Sequence, residues 1–391
     1  MRIDCRWIAL LLLAACAGMR DPETGSNDSG SSGLLTITAS ADEVTVGDSP
    51  VTLTAAPGEA SWSLLGPGKL SGVTGQTTQY LPPDSLDLTE SVTVTASRGS
   101  DKVRAVLKVH PRLSYPVGRR PVAIGFDGAR LWVAGAWDLD VLILRPSDAA
   151  PLGRVVVNHG VGALVFDGTN MWTINPGADS VTKLRAADGA NLGTFPVGNQ
   201  PIAGAFDGTN LWVTNRGDRT VTKLRASDGA ILGTFPVPGG PAGIAFDGKN
   251  LWVANHDRPP PGGAGETVTC VRPSDGANLG NVYVGPAPWF VIADGSELWV
   301  TSLYAGLVTQ LDTTSGGLLQ TGRIGNGANV QGMTVARGSL WFGLVPGSVV
   351  KVNPANLSQQ ASFTIKGPSA FAFDGTRLWI GSLDGNSLTP L

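Results

Sequence analysis

Few residues in this chain could carry catalysis, and they lie far apart. Its only histidines are His110, His159 and His256, so any histidine base must be one of these. A serine or cysteine nucleophile needs such a base beside it, and no Gly-x-Ser-x-Gly, His-Glu-x-x-His or Cys-x-x-Cys motif occurs. His110 falls in an interdomain join, and the other two fall in loops of separate repeats. The sequence therefore predicts no catalytic residues and leaves open whether the protein is an enzyme.

The best candidate for a metal ligand is the adjacent pair His256 and Asp257. Imidazole and carboxylate groups do bind transition metals, but two neighbours in one loop supply only half of a typical tetrahedral set. A solvated loop is the simpler interpretation of the pair. The glycine-rich segments resemble turns, and none precedes a predicted helix that could bind a phosphate. We therefore predict neither a metal site nor a cofactor.

The three cysteines have different predicted roles. Cys5 and Cys16 belong to an N-terminal export pattern, whereas Cys270 lies in an apolar strand pattern, Val-Thr-Cys-Val. A cysteine in such a strand is typically a buried structural thiol. Because it is the only cysteine left after processing and acylation, no internal disulfide is expected. Stability must come from apolar burial, which a hydrophobic content of 42% permits.

The N-terminus has the pattern of an exported protein. Arg2 and Arg6 precede an apolar run that is too short to span a bilayer, which predicts a signal peptide over residues 1–15. The run ends in Leu-Ala-Ala-Cys at Cys16, which resembles the lipobox of bacterial lipoproteins. That resemblance implies acylation of Cys16, a membrane anchor and a bacterial cell-envelope location, with Ala17 after the cysteine favouring the outer membrane of a Gram-negative host. Residues 16–33 are rich in Ser, Gly, Asp and Asn and predict a flexible tether.

Residues 34–110 contain short alternating strands separated by turns with Gly and Pro. Regular short strands without a helical period predict an all-β sandwich. The surroundings of Trp62, with Leu70-Ser-Gly72 and Tyr80-Leu-Pro-Pro83, resemble the bacterial Ig-like domains of surface proteins. Such domains act as spacers or adhesive units, and a spacer is the preferred interpretation here.

The remaining chain, residues 112–391, repeats itself. Seven tryptophans recur at spacings of 40, 40, 40, 47, 42 and 38 residues: Trp132, Trp172, Trp212, Trp252, Trp299, Trp341 and Trp379. Repeats of about 40 residues with four strands each predict a β-propeller, here with seven blades. The last repeat is one strand short, and the segment at residues 112–118 has the pattern of the missing strand. An N-terminal strand that completes the C-terminal blade would leave no open sheet edge.

The repeats resemble YVTN/NHL-type propellers, a group that includes the streptogramin lyases. The motifs that carry the resemblance are Phe-Asp-Gly, Leu-Trp-Val-x-Asn (residues 211–215 and 251–255) and Val-Thr-Lys-Leu-Arg (residues 221–225). The lyases of this group use a metal-supported His/Glu pair on one face of the propeller. The only glutamates of the repeats, Glu266 and Glu297, have no histidine at a matching position. The resemblance therefore implies the fold more strongly than the activity.

A binding site should show as a departure from the repeat. The largest departure is the insertion at residues 256–265, and unusual aromatic residues occupy connections expected on the same face. Aromatic side chains beside polar groups suit glycan, peptide or protein contacts. The candidate ligand-binding residues are His256, Asp257, Arg258, Trp289, Phe290, Tyr304 and Trp137. Alternatively, Trp289 and Phe290 fill the channel mouth as core.

These patterns favour an envelope-anchored binding scaffold without catalysis, with a protein, peptide or glycan as partner. One alternative is a divergent enzyme of the lyase type or acting on a lactone, and another is a purely structural envelope component. A net charge of −3 argues against a nucleic-acid partner, which requires a basic surface.

Overall fold

The computed structural model describes residues 35–45, 50–82, 90–110, 114–118, 120–136, 138–256, 264–304 and 306–391. These residues form two compact units that divide between Arg112 and Leu113. The predicted signal peptide, tether and lipidation site Cys16 lie outside the described residues, as do the candidate site residues Trp137, Asp257 and Arg258.

The first unit consists of two β-sheets that share one hydrophobic core. Its strands are β1 (Thr36–Ala39), β2 (Glu43–Thr45), β3 (Val51–Ala56), β4 (Ala60–Leu65), β5 (Lys69–Leu70), β6 (Thr74–Gly75), β7 (Thr77–Leu81), β8 (Glu90–Arg98) and β9 (Asp101–His110). The sheets have the orders β1-β3-β7-β5 and β2-β9-β8-β4-β6, and among the described strands β2 and β9 alone pair in parallel. Trp62 and Tyr80 are the largest side chains of this core. The indole of Trp62 donates a hydrogen bond to the carbonyl of Gly75, and the hydroxyl of Tyr80 donates one to the carbonyl of Pro67.

The second unit contains seven antiparallel four-stranded sheets within its described residues. Sheet one is β11 (Pro121–Phe126), β12 (Leu131–Gly135), β13 (Asp140–Leu144) and β14 (Pro151–Val156), and sheet two is β15 (Ala163–Phe166), β16 (Asn170–Asn175), β17 (Ser180–Arg185) and β18 (Asn191–Pro196). Sheet three is β19 (Pro201–Phe206), β20 (Asn210–Asn215), β21 (Thr220–Arg225) and β22 (Ile231–Pro236), and sheet four is β23 (Pro241–Phe246), β24 (Leu251–Asn255), β25 (Thr267–Val271) and β26 (Asn278–Tyr283).

The remaining three sheets follow the same pattern. Sheet five is β27 (Pro288–Asp294), β28 (Glu297–Ser302), β29 (Leu307–Asp312) and β30 (Leu318–Arg323), and sheet six is β31 (Val330–Ala336), β32 (Ser339–Leu344), β33 (Ser348–Val352) and β34 (Gln359–Thr364). Sheet seven is β35 (Pro368–Phe373), β36 (Leu378–Ser382) and β37 (Ser387–Pro390) together with β10 (Tyr115–Pro116). Single 3-10 turns occur at Pro176–Ala178, Ala264–Glu266 and Gly325–Gly327, and no helix of the described chain is long and apolar enough to cross a membrane.

The seven sheets are arranged as a β-propeller. The first strand of each sheet lies beside the first strand of the next, and β35 of sheet seven lies beside β11 of sheet one. Within sheet seven, Tyr115 pairs with Leu388 and Pro116 with Ser387, so the two ends of the unit share one sheet. Hydrophobic side chains fill the space between consecutive sheets, with Trp132, Trp172, Trp212, Trp299 and Trp379 completely buried. The prediction of a β-propeller is therefore confirmed.

The repeated Phe-Asp-Gly motif shapes the turn between the first two strands of a sheet. In sheet three, the carboxylate of Asp207 accepts hydrogen bonds from the backbone N–H groups of Thr209 and Asn210 and from the indole of Trp212. Gly208 completes the turn with a φ of 91°, which a side-chain-bearing residue adopts only with strain. The same acid thus fixes the turn and satisfies the buried tryptophan.

Candidate functional site

Two sets of connections meet at one end of the propeller, which we call the upper end. In sheets three, four and five, the residue after the second strand donates its backbone N–H to the residue that precedes the first strand. The pairs are Arg216 with Gln200, His256 with Gly240 and Leu303 with Ala287, at 2.8–3.0 Å. The connection between the second and third strands therefore lies beside the connection that enters the sheet.

Four side chains from three sheets meet at the upper end and form what we call the upper-end cluster: Arg216, His256, Trp289 and Tyr304. The ring of His256 meets that of Trp289 edge to face, with centroids 4.7 Å apart and planes at 90°. The guanidinium carbon of Arg216 lies 5.2 Å from the Trp289 ring centroid, which is within cation–π range. The ring of Tyr304 lies 6.2 Å from that of His256.

Exposure differs strongly within the cluster. His256 is only 4% exposed, Trp289 is half-buried and Tyr304 is 61% exposed. The cluster therefore runs from a buried imidazole to a solvent-facing phenol. An exposed aromatic ring backed by a buried polar group is a suitable contact surface for a partner that excludes water.

A β-bulge places Trp289 in this position. The pairing of β27 with β28 shifts between Pro288 and Phe290, so Trp289 is left without a direct partner in the ladder. Such a bulge redirects the side chain of the extra residue. A close approach between the inner strands helps, because a Cβ at Gly243 of sheet four would lie 2.5 Å from the carbonyl oxygen of Trp289. The Trp289 ring of sheet five thus comes within 5.2 Å of the guanidinium carbon of Arg216 in sheet three.

The sequence-predicted site residues have different positions. His256, Trp289 and Tyr304 lie together, whereas Phe290 is partly buried and packs against the hydrophobic core between sheets five and six. Glu266 is buried in the 3-10 turn that contacts β24. Glu297 begins β28, at the opposite end from Ser302, and Asp294 is its partner in the β-ladder.

Arg216 is a member of the cluster that sequence reasoning missed. Repeats two and three are nearly identical, yet the residue after the second strand is Pro176 in one and Arg216 in the other. The same position holds His256 in sheet four. A comparison of this single position across the repeats would have indicated Arg216, because its neighbours along the chain do not change.

Asn255, which immediately precedes His256, has an amide oxygen that accepts no hydrogen bond from the described residues although the side chain is completely buried. In sheet three the equivalent Asn215 accepts one from the backbone N–H of Gly198 at 3.1 Å. The residue at the position of Gly198 is Pro238, which has no N–H. A buried acceptor without a hydrogen-bond donor costs about 1–3 kcal/mol.

Two buried hydroxyls at the end of β28 are in a similar state. Thr214 of sheet three donates its hydroxyl to the carbonyl of Ala242 at 2.8 Å, but the equivalent Thr301 of sheet five has no hydrogen-bond partner among the described residues, and neither does Ser302. Sheets four and five therefore differ from sheet three in hydrogen bonding as well as in aromatic content.

The chemistry of the upper-end cluster is that of recognition. Its groups offer two aromatic faces, one guanidinium and one imidazole, and the described residues include no group of three or more His, Cys, Asp or Glu that could hold a metal ion. The thiol of Cys270 has an unusually high pKa. Burial, assisted by the carboxylate of Asp247, raises this pKa to about 11. At neutral pH it is a protonated thiol, the poorly nucleophilic form.

Comparison with known proteins supports the fold. No family model matches the chain, and no curated protein is significantly similar to it. Among solved structures, a chain of hydrazine synthase from Kuenenia stuttgartiensis matches with a TM-score of 0.60 and 17% identity, over 72% of this chain and 97% of that chain. At this identity the likeness shows the fold alone.

Proposed function

We propose that the protein is a lipid-anchored scaffold of the bacterial cell envelope that binds a protein, peptide or glycan partner through the upper end of its propeller, without catalysis. In this proposal the seven sheets are seven blades of a YVTN/NHL-type propeller, and the first unit is an Ig-like spacer. The lipobox-like sequence before Cys16 supports the anchor. The two-sheet organisation of the first unit supports the spacer.

The observation that carries the binding proposal is the upper-end cluster across sheets three, four and five. Tyr304 and Trp289 provide aromatic surface with few rotatable bonds, and the guanidinium of Arg216 lies against the Trp289 ring. Trp, Tyr and Arg are the residues that most often dominate binding energy at interfaces. The buried acceptor of Asn255 and the buried hydroxyls of Thr301 and Ser302 lie on the two strands that lead to the cluster.

A cross-linking experiment tests the proposal directly. A photoreactive phenylalanine analogue replaces Tyr304 in the full-length protein, expressed in its own host so that envelope partners are present. The matched control carries the analogue at Tyr283, which is equally exposed, at 63%, but lies on the outermost strand of sheet four. We expect a cross-linked species only from position 304, and its loss when Trp289→Ala is added.

Two results would overturn the proposal. Equal cross-linking from both positions would mean that the upper end is not a specific surface. Turnover of a cyclic ester by the purified protein, abolished by His256→Ala, would favour the alternative of a divergent enzyme of the lyase type or acting on a lactone.

A further inference from the structure

A lysine of one sheet binds the next sheet at two neighbouring boundaries of the propeller. The ammonium of Lys183 in sheet two donates to the carbonyls of Ala226 and Ser227 in sheet three, at 2.6 and 2.9 Å. Lys223 in sheet three donates in the same way to Pro273 of sheet four, at 2.7 Å. Each ammonium also lies over the tryptophan ring of its own sheet, 5.4 Å from Trp172 and 5.2 Å from Trp212. We call this arrangement the lysine bridge.

Other boundaries reach a similar result with other side chains. A donor of one sheet bonds turn carbonyls of the next at four further boundaries, through Arg130 to Ala187, Gln320 to Pro354, Arg337 to Thr376 and Arg377 to Ser147. The acceptor is in the turn between the third and fourth strands at three of these boundaries, and in the turn between the first and second strands of sheet seven for Thr376. Of the seven boundaries, only that between sheets four and five has no such donor among the described residues.

At that boundary a cysteine occupies the lysine position. Cys270 pairs with Trp252 in the ladder, as Lys223 pairs with Trp212. An open cavity of about 560 Å³ lies at this boundary, lined by Trp252, Cys270, Thr313 and Thr314 among others. Thr313 and Thr314 hold the positions of Ala226 and Ser227, whose carbonyls accept the ammonium of Lys183. Leu279 also lines the cavity and is 46% exposed, so the cavity opens to solvent.

We propose that this cavity binds a primary alkylammonium group supplied from outside the propeller, such as the side chain of a lysine or a small alkylamine. The acceptors are those of the lysine bridge, namely the Trp252 ring and the carbonyls of Thr313 and Thr314. The carboxylate of Asp247, bonded to the Trp252 indole at 2.7 Å, adds negative charge behind the ring. An ammonium on an apolar stem matches a cavity that combines an aromatic face, a thiol and carbonyl oxygens.

Two cationic residues also line the cavity and must be accounted for. Arg272 is paired with Asp275 at 3.1 Å, as the equivalent Arg225 is paired with Asp228 beside an occupied lysine bridge. Lys249 is exposed and has no equivalent in sheets two and three, where Thr169 and Thr209 stand at its position. Lys249→Thr therefore gives sheet four the residue that sheets two and three have at this position, and it removes a positive charge that those sheets lack.

The test measures binding of two amines to the full chain by the shift of the Trp252 indole N–H resonance, in the wild type and in Lys249→Thr. The probes are 1,5-diaminopentane and N-acetyl-lysine methylamide, and the matched negative probe is N-acetyl-norleucine methylamide, which has the same stem without the ammonium. We expect saturable shifts with the amines, larger in Lys249→Thr, and none with the norleucine compound. Binding of diaminopentane alone would restrict the site to free amines.

Cys270→Lys provides the decisive control because it rebuilds the bridge within the chain. This variant should no longer respond to either amine and should melt about 2–4 °C higher than the wild type, the shift expected for one added bridge in a domain of this size. Cys270→Met places a longer, uncharged side chain beside Trp252 at the lysine position and should weaken amine binding without that gain in melting temperature. Equal response to the amine and norleucine probes, or amine shifts that persist in Cys270→Lys, would overturn the proposal. These results do not depend on the upper-end cluster, so the two proposals fail separately.

Discussion

The carboxylate of Asp207 accepts a hydrogen bond of 2.7 Å from the indole nitrogen of Trp212, five residues further along the chain. Asp127, Asp167, Asp247 and Asp374 bond the tryptophans of their own sheets in the same way, at 2.7–2.8 Å. Burial raises the pKa of Asp207, but the hydrogen bonds from Trp212, Asn210 and Thr209 outweigh it and lower the pKa below its usual value of 3.8. The ionised acid is thus part of the folded core.

Replacing Asp207 with Asn is expected to destabilise the propeller by about 1–3 kcal/mol at neutral pH, since it weakens several hydrogen bonds to a half-buried carboxylate. Because the pKa of Asp207 is lower in the folded state, its contribution is complete above pH 3.8 and is lost as the pH falls through the folded value. The difference between variant and wild type should therefore shrink below pH 3.8. Urea unfolding at pH 7 and pH 3 measures it.

The matched control is Asp294→Asn in sheet five. Asp294 also stands five residues before its tryptophan, Trp299, but it is exposed, and no hydrogen bond joins the two in the described chain. This change should alter the free energy of unfolding by less than about 0.5 kcal/mol. An equal loss in both variants would show that the Asp–Trp bond is not the source of stability.

The second prediction concerns the closure of the ring by β10 and β37. Leu388 is completely buried and pairs with Tyr115, so deletion of residues 387–391 removes one strand of sheet seven and leaves β10 unpaired. We expect the deletion to destabilise the whole second unit, because each sheet is stabilised by both neighbours in the ring. Limited proteolysis and urea unfolding should show loss of a cooperative transition.

Two N-terminal truncations complete this test. A truncation of residues 1–119 that keeps a protease-resistant ring would contradict the prediction, whereas truncation of residues 1–33 should have no effect on the ring.

The propeller could be predicted from the sequence because its determinants are local and repeated. A tryptophan such as Trp212 lies in a short apolar strand, and an Asp-Gly turn precedes it in most repeats, so one repeat explains the others. The upper-end cluster is different, because it joins side chains more than 80 residues apart. The contact of Arg216 with Trp289 depends on a β-bulge that recurs at the start of the first strand in most sheets and on the close approach at Gly243, and no local pattern connects either feature to Arg216.

The adjacent residues Trp289 and Phe290 show the same limit. Neighbours in a strand face opposite sides, so the sequence shows that one of the two is buried but not which. The shift in pairing at this point decides that Phe290 packs against the core between sheets five and six and that Trp289 contacts His256 instead.

A third prediction uses this pair of aromatic residues. Trp289→Ala should lower the free energy of unfolding by only about 1–2 kcal/mol, because the residue is half-buried and contributes chiefly an edge-to-face contact and a cation–π contact. Phe290→Ala should cost more, up to about 3 kcal/mol, because Phe290 is likewise half-buried but packs against the core between sheets five and six. Urea unfolding of both variants makes the comparison. A larger loss for Trp289→Ala than for Phe290→Ala would mean that Trp289 is a core residue.

The last prediction concerns the anchor, which rests on the sequence around Cys16. Acylation needs the thiol of this residue, so Cys16→Ser should prevent incorporation of labelled fatty acid and move the protein from the detergent phase to the aqueous phase in a Triton X-114 partition. Stable attachment requires more than one lipid chain or signal, so loss of the acylated residue should release the protein completely or leave it unprocessed.

Cys270→Ser is the matched control for the anchor. Burial and the carboxylate of Asp247 raise the pKa of the Cys270 thiol to about 11, so this cysteine is protonated and shielded at neutral pH and should take no acyl group. The variant should therefore remain in the detergent phase with its lipid label intact. If the wild-type protein incorporates no label, or if Cys16→Ser incorporates as much label as the wild type, the lipid anchor at Cys16 is wrong.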